Sequence, residues 1–231
     1  MRVLDLGYGT GSATLAWKAH GHEVIGVDWE SPSAHILGDW KDSHTWKKIK
    51  QLGPYDFVWF SPDCSIFSLL NANNPFDRTG EIYDPDRRHR VLRRYTPNTE
   101  RAKEEVRGII NVIRRIKEMS PSKGWIMENP RAIMRRMDFV KGLNRVTVCY
   151  CQYADTFGRR KPTDLFGEIP RAFIPLTCKT GDSCHVNVSK GEIKGTVSLS
   201  KRDRGRVPYG LSMAIYEAAI SNEQPSIFDY C

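Results

Sequence analysis

The opening of the chain leaves few folds available to it. Residues 1–6 are a short apolar run that breaks into Gly7-Tyr8-Gly9-Thr10-Gly11-Ser12. Residues 13–20 continue with helically spaced Ala, Leu and Trp and stop at Gly21. A second apolar run, residues 23–27, closes on Asp28-Trp29. Strand, glycine turn, helix, strand and acid in that order predict the start of a doubly wound, mostly parallel α/β sheet.

The rhythm continues downstream. Residues 47–51 read as a helix segment and 55–60 as a buried strand. Residues 99–119 form the longest helical stretch, with Ile109, Ile110, Ile113 and Ile116 as its apolar stripe. Residues 125–127 predict a strand ending at Glu128-Asn129-Pro130, and 146–150 and 164–169 predict two more. Residues 208–221 read as an amphipathic helix. Two stretches break the pattern. Residues 71–98, rich in Arg and punctuated by Pro75, Pro85 and Pro97, read as a long functional loop. Residues 175–206, rich in Gly, Lys and Ser, read as a small irregular insert. The expected organisation is a catalytic and cofactor-binding α/β unit over 1–174, the insert over 175–206, and a C-terminal helix within 207–231 that packs back on the first unit.

Composition narrows the class of partner. Lys+Arg 35 against Asp+Glu 27 leaves a net charge of +8, a surplus that suits a polyanion such as nucleic acid. Apolar runs are too short for a membrane span, and the first residues read as a strand rather than a leader. Six Cys without dense spacing point to a reducing compartment, hence a cytoplasmic location, rather than a disulfide scaffold.

Chemistry-bearing residues fall at predicted strand ends, where open α/β sheets hold their ligands. Glycines at 7, 9 and 11 let backbone approach a ligand closely. Asp28 is placed to bind ribose hydroxyls, Trp29 to stack on adenine, and Asp39 to reach its exocyclic amine. This set suits S-adenosyl-L-methionine better than a nicotinamide dinucleotide, because Gly11 is not followed by a further spaced glycine. After the buried strand at 55–60 comes Ser61-Pro62-Asp63-Cys64-Ser65-Ile66-Phe67-Ser68. A proline-stiffened loop there would hold the Cys64 sulfur beside the crevice, in a position that can lower its pKa. Glu128 ends another strand, and Arg159, Arg160 and Lys161 precede a third. A thiol, a carboxylic acid and fixed cations around one crevice make a coherent chemical set.

These motifs, in this order and over almost the whole length, resemble those of the DNA cytosine-5 methyltransferases. Asp5-Leu6-Gly7-Tyr8-Gly9-Thr10-Gly11 is similar to the family's first cofactor motif, Val27-Asp28-Trp29 to its acid–Trp pair, and Gly38-Asp39 to its third cofactor element. Pro62-Asp63-Cys64-Ser65-Ile66-Phe67-Ser68 resembles Pro-Pro-Cys-Gln-x-Phe-Ser, and Glu128-Asn129 matches the Glu-Asn dipeptide. Val207-Pro208-Tyr209 is similar to the family's C-terminal segment. Asp63 replaces the second Pro, Ser65 replaces Gln, and Pro130 follows Glu-Asn where the family usually has Val. Residues 157–163 stand in place of the Gln-x-Arg-x-Arg element, so either Arg159 or Arg160 takes the catalytic cation's role. The reduced insert is similar to the compact form carried by bacterial viruses or mobile elements.

The resemblance implies a class I S-adenosylmethionine-dependent methyltransferase fold. It implies a monomer acting on cytosine C5 in duplex DNA with base flipping. Cys64 would be the nucleophile and Glu128 the group at N3; Asp5, Gly7, Tyr8, Gly9, Gly11, Asp28, Trp29, Asp39 and Pro62 would line the cofactor. Ser65, Ser68, Arg87, Arg88, Arg90, Arg93, Arg94 and Lys161 would contact nucleic acid. RNA as substrate, and a catalytically degenerate DNA-binding relative, are the alternatives. An amino-methyltransferase is disfavoured, because such enzymes carry an aromatic residue where Cys64 stands. Cys178-x5-Cys184-His185, with Cys149 and Cys151 nearby, contains zinc-type ligands, but no Cys-x2-Cys knuckle, so the expectation is free thiols and no metal.

Overall fold

In β1 (Arg2–Leu6) every residue after the first is buried, as in a strand covered on both faces. The computed structural model describes residues 1–68, 75–83, 91–153, 160–185, 203 and 205–221. After β1 come α1 (Leu15–Ala19), β2 (Glu23–Asp28), β3 (Ile36–Leu37), α2 (Ser43–Leu52) and β4 (Phe57–Phe60). A hairpin, β5 (Phe76–Tyr83) and β6 (Val91–Pro97), precedes α3 (Glu100–Met119). The chain continues with β7 (Trp125–Pro130), β8 (Asn144–Cys149), β9 (Pro162–Glu168) and α4 (Tyr209–Ile220).

Seven strands form one sheet in the order β3-β2-β1-β4-β7-β9-β8. The pairs from β3 to β7 are parallel, whereas β9 runs antiparallel to both β7 and β8. The result is a mixed α/β architecture with a mostly parallel sheet. Alternate strand residues feed two cores. Leu4, Leu6, Val58, Phe60, Trp125 and Met127 face α2 and α3 through Trp46, Ile49, Ile109 and Ile113. Val3, Phe57, Trp59 and Ile126 face α1 and α4 through Ala16, Trp17, Leu211 and Ile215. Chain order reverses between β1 and β4, which places a crevice at their carboxyl ends.

Several local expectations change in the folded chain. The buried stripe of α3 is Ile109, Val112, Ile113 and Ile116, at helical spacing, while Ile110 is 45% exposed. Thr99 caps this helix, its Oγ1 accepting the Ala102 N–H at 3.2 Å. The stretch 71–98 is not a loop throughout: β5 and β6 pair antiparallel from Phe76 opposite Pro97 to Tyr83 opposite Val91. Phe76 and Tyr95 anchor that ladder in the core, and Phe76 stacks on Phe67 with ring centroids 5.5 Å apart. Helix α4 lies against α1, where buried Ser212 accepts the Ala16 N–H at 3.1 Å and donates to the Ala13 carbonyl at 2.8 Å. Among the described residues no helix is long and apolar enough to cross a membrane.

Candidate active site

The glycine turn after β1 is held by its own backbone. Gly7 and Tyr8 donate their N–H groups to the Val27 carbonyl at 2.9 and 3.1 Å, and Gly11 donates to the Tyr8 carbonyl at 2.7 Å. Gly9 donates to Asp28 Oδ2 at 2.8 Å. Four N–H groups of the turn are thus engaged within the protein. Gly7 has φ +77, and a Cβ there would drive into the Ser61 carbonyl oxygen. The turn therefore abuts the start of the Cys64 loop, and only glycine permits that approach.

The acids around the turn differ in environment. Asp28 also accepts the N–H groups of Glu30 and Ser31, each at 2.8 Å. Three of its roughly four acceptor positions are thus occupied, leaving one for a ligand hydroxyl. Trp29 is 66% exposed beside it, free to offer a ring face. Asp39 is half-buried and accepts the Lys41 N–H at 2.8 Å. Asp5 is buried under the turn and accepts from Thr14 Oγ1 at 2.7 Å, while its Oδ1 has no partner among the described residues. Burial, with a smaller push from Asp28, raises the Asp5 pKa to about 7. Tyr8 departs from its expected role: its ring is buried in the α1-side core and its hydroxyl accepts from Lys18 Nζ at 2.8 Å. It supports the turn from below.

The Cys64 loop leaves β4 through buried Pro62. Asp63 organises it, accepting the Ser65 N–H at 2.9 Å and the Ser65 hydroxyl at 2.8 Å. Ile66 and Phe67 anchor it in the core, and Ser68 is half-buried at its end. Cys64 itself is exposed. Its thiol pKa is not lowered by the loop position. Crowding of the sulfur by protein, and the nearby Glu128, push it up, while Lys161 pulls it down.

Glu128 and Lys161 form the interior of this site. Glu128 is buried on β7 and accepts a hydrogen bond from the Tyr150 hydroxyl at 2.9 Å. Burial raises its pKa, opposed by Lys161 and by Tyr150. Lys161 is also buried, with Nζ 4.3 Å from the Tyr150 ring centroid. Its pKa is lowered by burial against the opposing pull of Glu128 and Cys64. Thiol, carboxyl and amine therefore sense one another's charge, and burial favours the neutral forms of the last two. Beneath them Asp164, directly opposite Asn129 on β9, pairs with buried Arg135 at 3.2 Å and accepts from Thr147 at 2.7 Å.

Arg160 donates through Nε and Nη2 to the Cys178 carbonyl at 3.2 and 2.9 Å. Lys161, expected at nucleic acid, is among the described residues the cation that bears on Cys64 and Glu128. Arg94 pairs with Asp138 at 3.3 Å. Arg93 lies on β6 opposite Glu81, and Arg87, Arg88, Arg90 and Arg159 lie outside the described residues. Sequence reasoning misses Tyr150, whose only signal is a position at the end of an expected strand. No family model matches the chain, and no curated protein matches it.

Proposed function

We propose that this chain methylates C5 of cytosine in DNA, through a transient bond between Cys64 and C6 of an extruded base. One observation supports the reading: Cys64, buried Glu128 and buried Lys161 lie close enough for their charges to interact, and the Cys64 loop starts against the glycine turn. The residues present fit S-adenosyl-L-methionine. Asp28 retains an acceptor for a ribose hydroxyl, Trp29 offers an exposed ring to adenine, and Asp39 stands near enough in the chain for its amine. The carboxyl groups of Asp5 and Asp28 beside the turn suit a cationic sulfonium. When bound, S-adenosyl-L-methionine supplies an electrophilic methyl group.

The protein groups then have defined tasks. Lys161 favours the Cys64 thiolate, whose electron pair forms a bond to C6. The C5–C6 π pair shifts so that C5 becomes nucleophilic, as the proton on Glu128 passes to N3. Burial pushes the Glu128 pKa up, which favours the protonated form this step uses. Once C5 is methylated, its own proton leaves to solvent. The freed pair restores the C5–C6 bond and expels the thiolate, and N3 returns its proton to Glu128. The base must leave the stack to reach this site, at a cost of a few kcal/mol.

The test uses duplex DNA containing 5-fluorocytosine, because fluorine at C5 cannot depart as a proton and the adduct persists. With labelled S-adenosyl-L-methionine, the wild-type chain is expected to form a denaturation-resistant complex and Cys64→Ser none. An equal complex from the serine variant would overturn the assignment. Glu128→Gln is expected to lower turnover about hundredfold or more with cofactor affinity retained. Matched duplex DNA and tRNA, compared in the same assay, separate DNA from RNA as substrate.

A further inference from the structure

Beyond the crevice, four side chains meet that the proposed chemistry does not use. The ligand-type atoms of Cys151, Cys178, Cys184 and His185 all lie within 4.8 Å of one another. We propose that they form a closed, tetrahedral site for a structural Zn²⁺, with three thiolates and His185 Nδ1 as ligands.

Five of the six edges match a coordination tetrahedron; the sixth, between the sulfurs of Cys178 and Cys184, lies within 4.8 Å and would close as the metal binds. Bonds of about 2.3 Å to sulfur and about 2.0 Å to nitrogen require edges of roughly 3.8 Å between sulfurs and roughly 3.6 Å from sulfur to nitrogen. Cys151 Sγ stands 3.4 Å from Cys178 Sγ and 3.8 Å from Cys184 Sγ. His185 Nδ1 stands 3.9, 3.8 and 3.2 Å from the sulfurs of Cys151, Cys178 and Cys184. Each value lies within about 0.4 Å of the ideal edge. The four cysteines of this neighbourhood, Cys149 included, are free of disulfides. Cys149 is not part of the tetrahedron; its sulfur points to the Cys178 carbonyl at 3.8 Å.

The surroundings fit a metal better than they fit packed thiols. Cys151, Cys178 and His185 are buried, yet thiols offer one another only weak hydrogen bonds. Residues 170–185 contain no helix or strand, and a short irregular segment needs a staple to hold one conformation. Three thiolates around one Zn²⁺ leave a single negative charge. The guanidinium of Arg160, donating to the carbonyl of the ligand residue Cys178, lies where it can balance that charge. Cys151 directly follows Tyr150, the donor to Glu128 Oε1. The metal would therefore fix the 3-10 turn Tyr150–Gln152 and, through it, one wall of the crevice. Spacing alone hid the site, because one ligand comes from the 3-10 turn after β8 and three from the insert.

The inference stands apart from methyl transfer, and its test reads metal. Full-length protein, purified without chelator and dialysed against metal-free buffer, is expected to carry one zinc per chain by elemental analysis. Replacement by Co²⁺ is expected to give the visible d–d bands of tetrahedral cobalt and a sulfur-to-cobalt charge-transfer band. Cys178→Ser and Cys184→Ser should each lower zinc content about tenfold or more, whereas Cys149→Ser in the same cluster should retain it. Metal-free wild-type protein that gives no tetrahedral cobalt spectrum on Co²⁺ addition would overturn the proposal. So would a Cys151–Cys178 disulfide found by mass spectrometry, or equal zinc loss from Cys149→Ser.

Discussion

Cys64 combines an exposed position with a thiol that ionises less readily than a free one, because protein crowds the sulfur and a buried carboxyl lies close to it. The charged neighbours act in opposite directions, and each can be removed. Once ionised, Glu128 opposes the thiolate, so Glu128→Gln makes the thiolate easier to form; Lys161→Met removes the cation that favours it and makes it harder. Alkylation of Cys64 by iodoacetamide, followed by mass spectrometry of its peptide, is therefore expected to shift to lower pH in the first variant and to higher pH in the second. Shifts in the same direction for both would mean that neither charge reaches the sulfur. At this scale Cys64 and Glu128 were legible in the sequence, since both sit where an apolar run ends. The roles of Tyr150, Lys161 and Arg160 were not. A hydroxyl in the 3-10 turn after β8 finds a carboxylate on β7 only because β9 runs between β7 and β8, and adjacent cations at 160 and 161 point to different partners.

The hairpin of β5 and β6 shows how an element can escape a pattern-based reading. Its strands mix charged and apolar residues without strict alternation, as in Asp77-Arg78-Thr79, Ile82-Tyr83, Val91-Leu92 and Arg93-Arg94. Alternation is therefore weak, and Pro and Asn nearby signal turns. What holds the ladder to the domain is burial of Phe76 and Tyr95 at its base. Phe76→Ala removes a buried ring stacked on Phe67 and is expected to cost about 3 kcal/mol or more of unfolding free energy, read as a lower denaturant midpoint. A loss below about 1 kcal/mol would mean that the hairpin base is not part of the cooperative core. The helices were easier to read, because the capping Thr99 and the periodic isoleucines of α3 are local signals. The exception, Ile110, lies beside the buried stripe rather than within it.

For the whole molecule, the charge of +8 and a pI near 9.2 set an electrostatic expectation. Binding of duplex DNA should weaken steeply with salt, because each neutralised phosphate releases condensed counterions. Arg87, Arg88 and Arg90, in the stretch between β5 and β6, carry a share of that charge. Replacing all three by Gln should reduce the slope of log K against log salt by about 0.9 for each phosphate that is no longer neutralised, while cofactor affinity stays constant. An unaltered slope would remove these arginines from the interface. The strands, their parallel opening and the strand-end positions of the thiol and the acid follow from local chemistry: apolar runs of strand length, glycines where backbone must turn left-handed, and helical periods of 3.6. Such signals need only neighbours in the chain. Which groups face one another does not follow from spacing. That Tyr150 donates to Glu128, that Lys161 lies against the Tyr150 ring, and that Cys151 meets a cysteine pair and a histidine from the insert depend on β9 folding back between β7 and β8. Charge and ligation act across a few ångströms of space, and the packing of that sheet sets those distances.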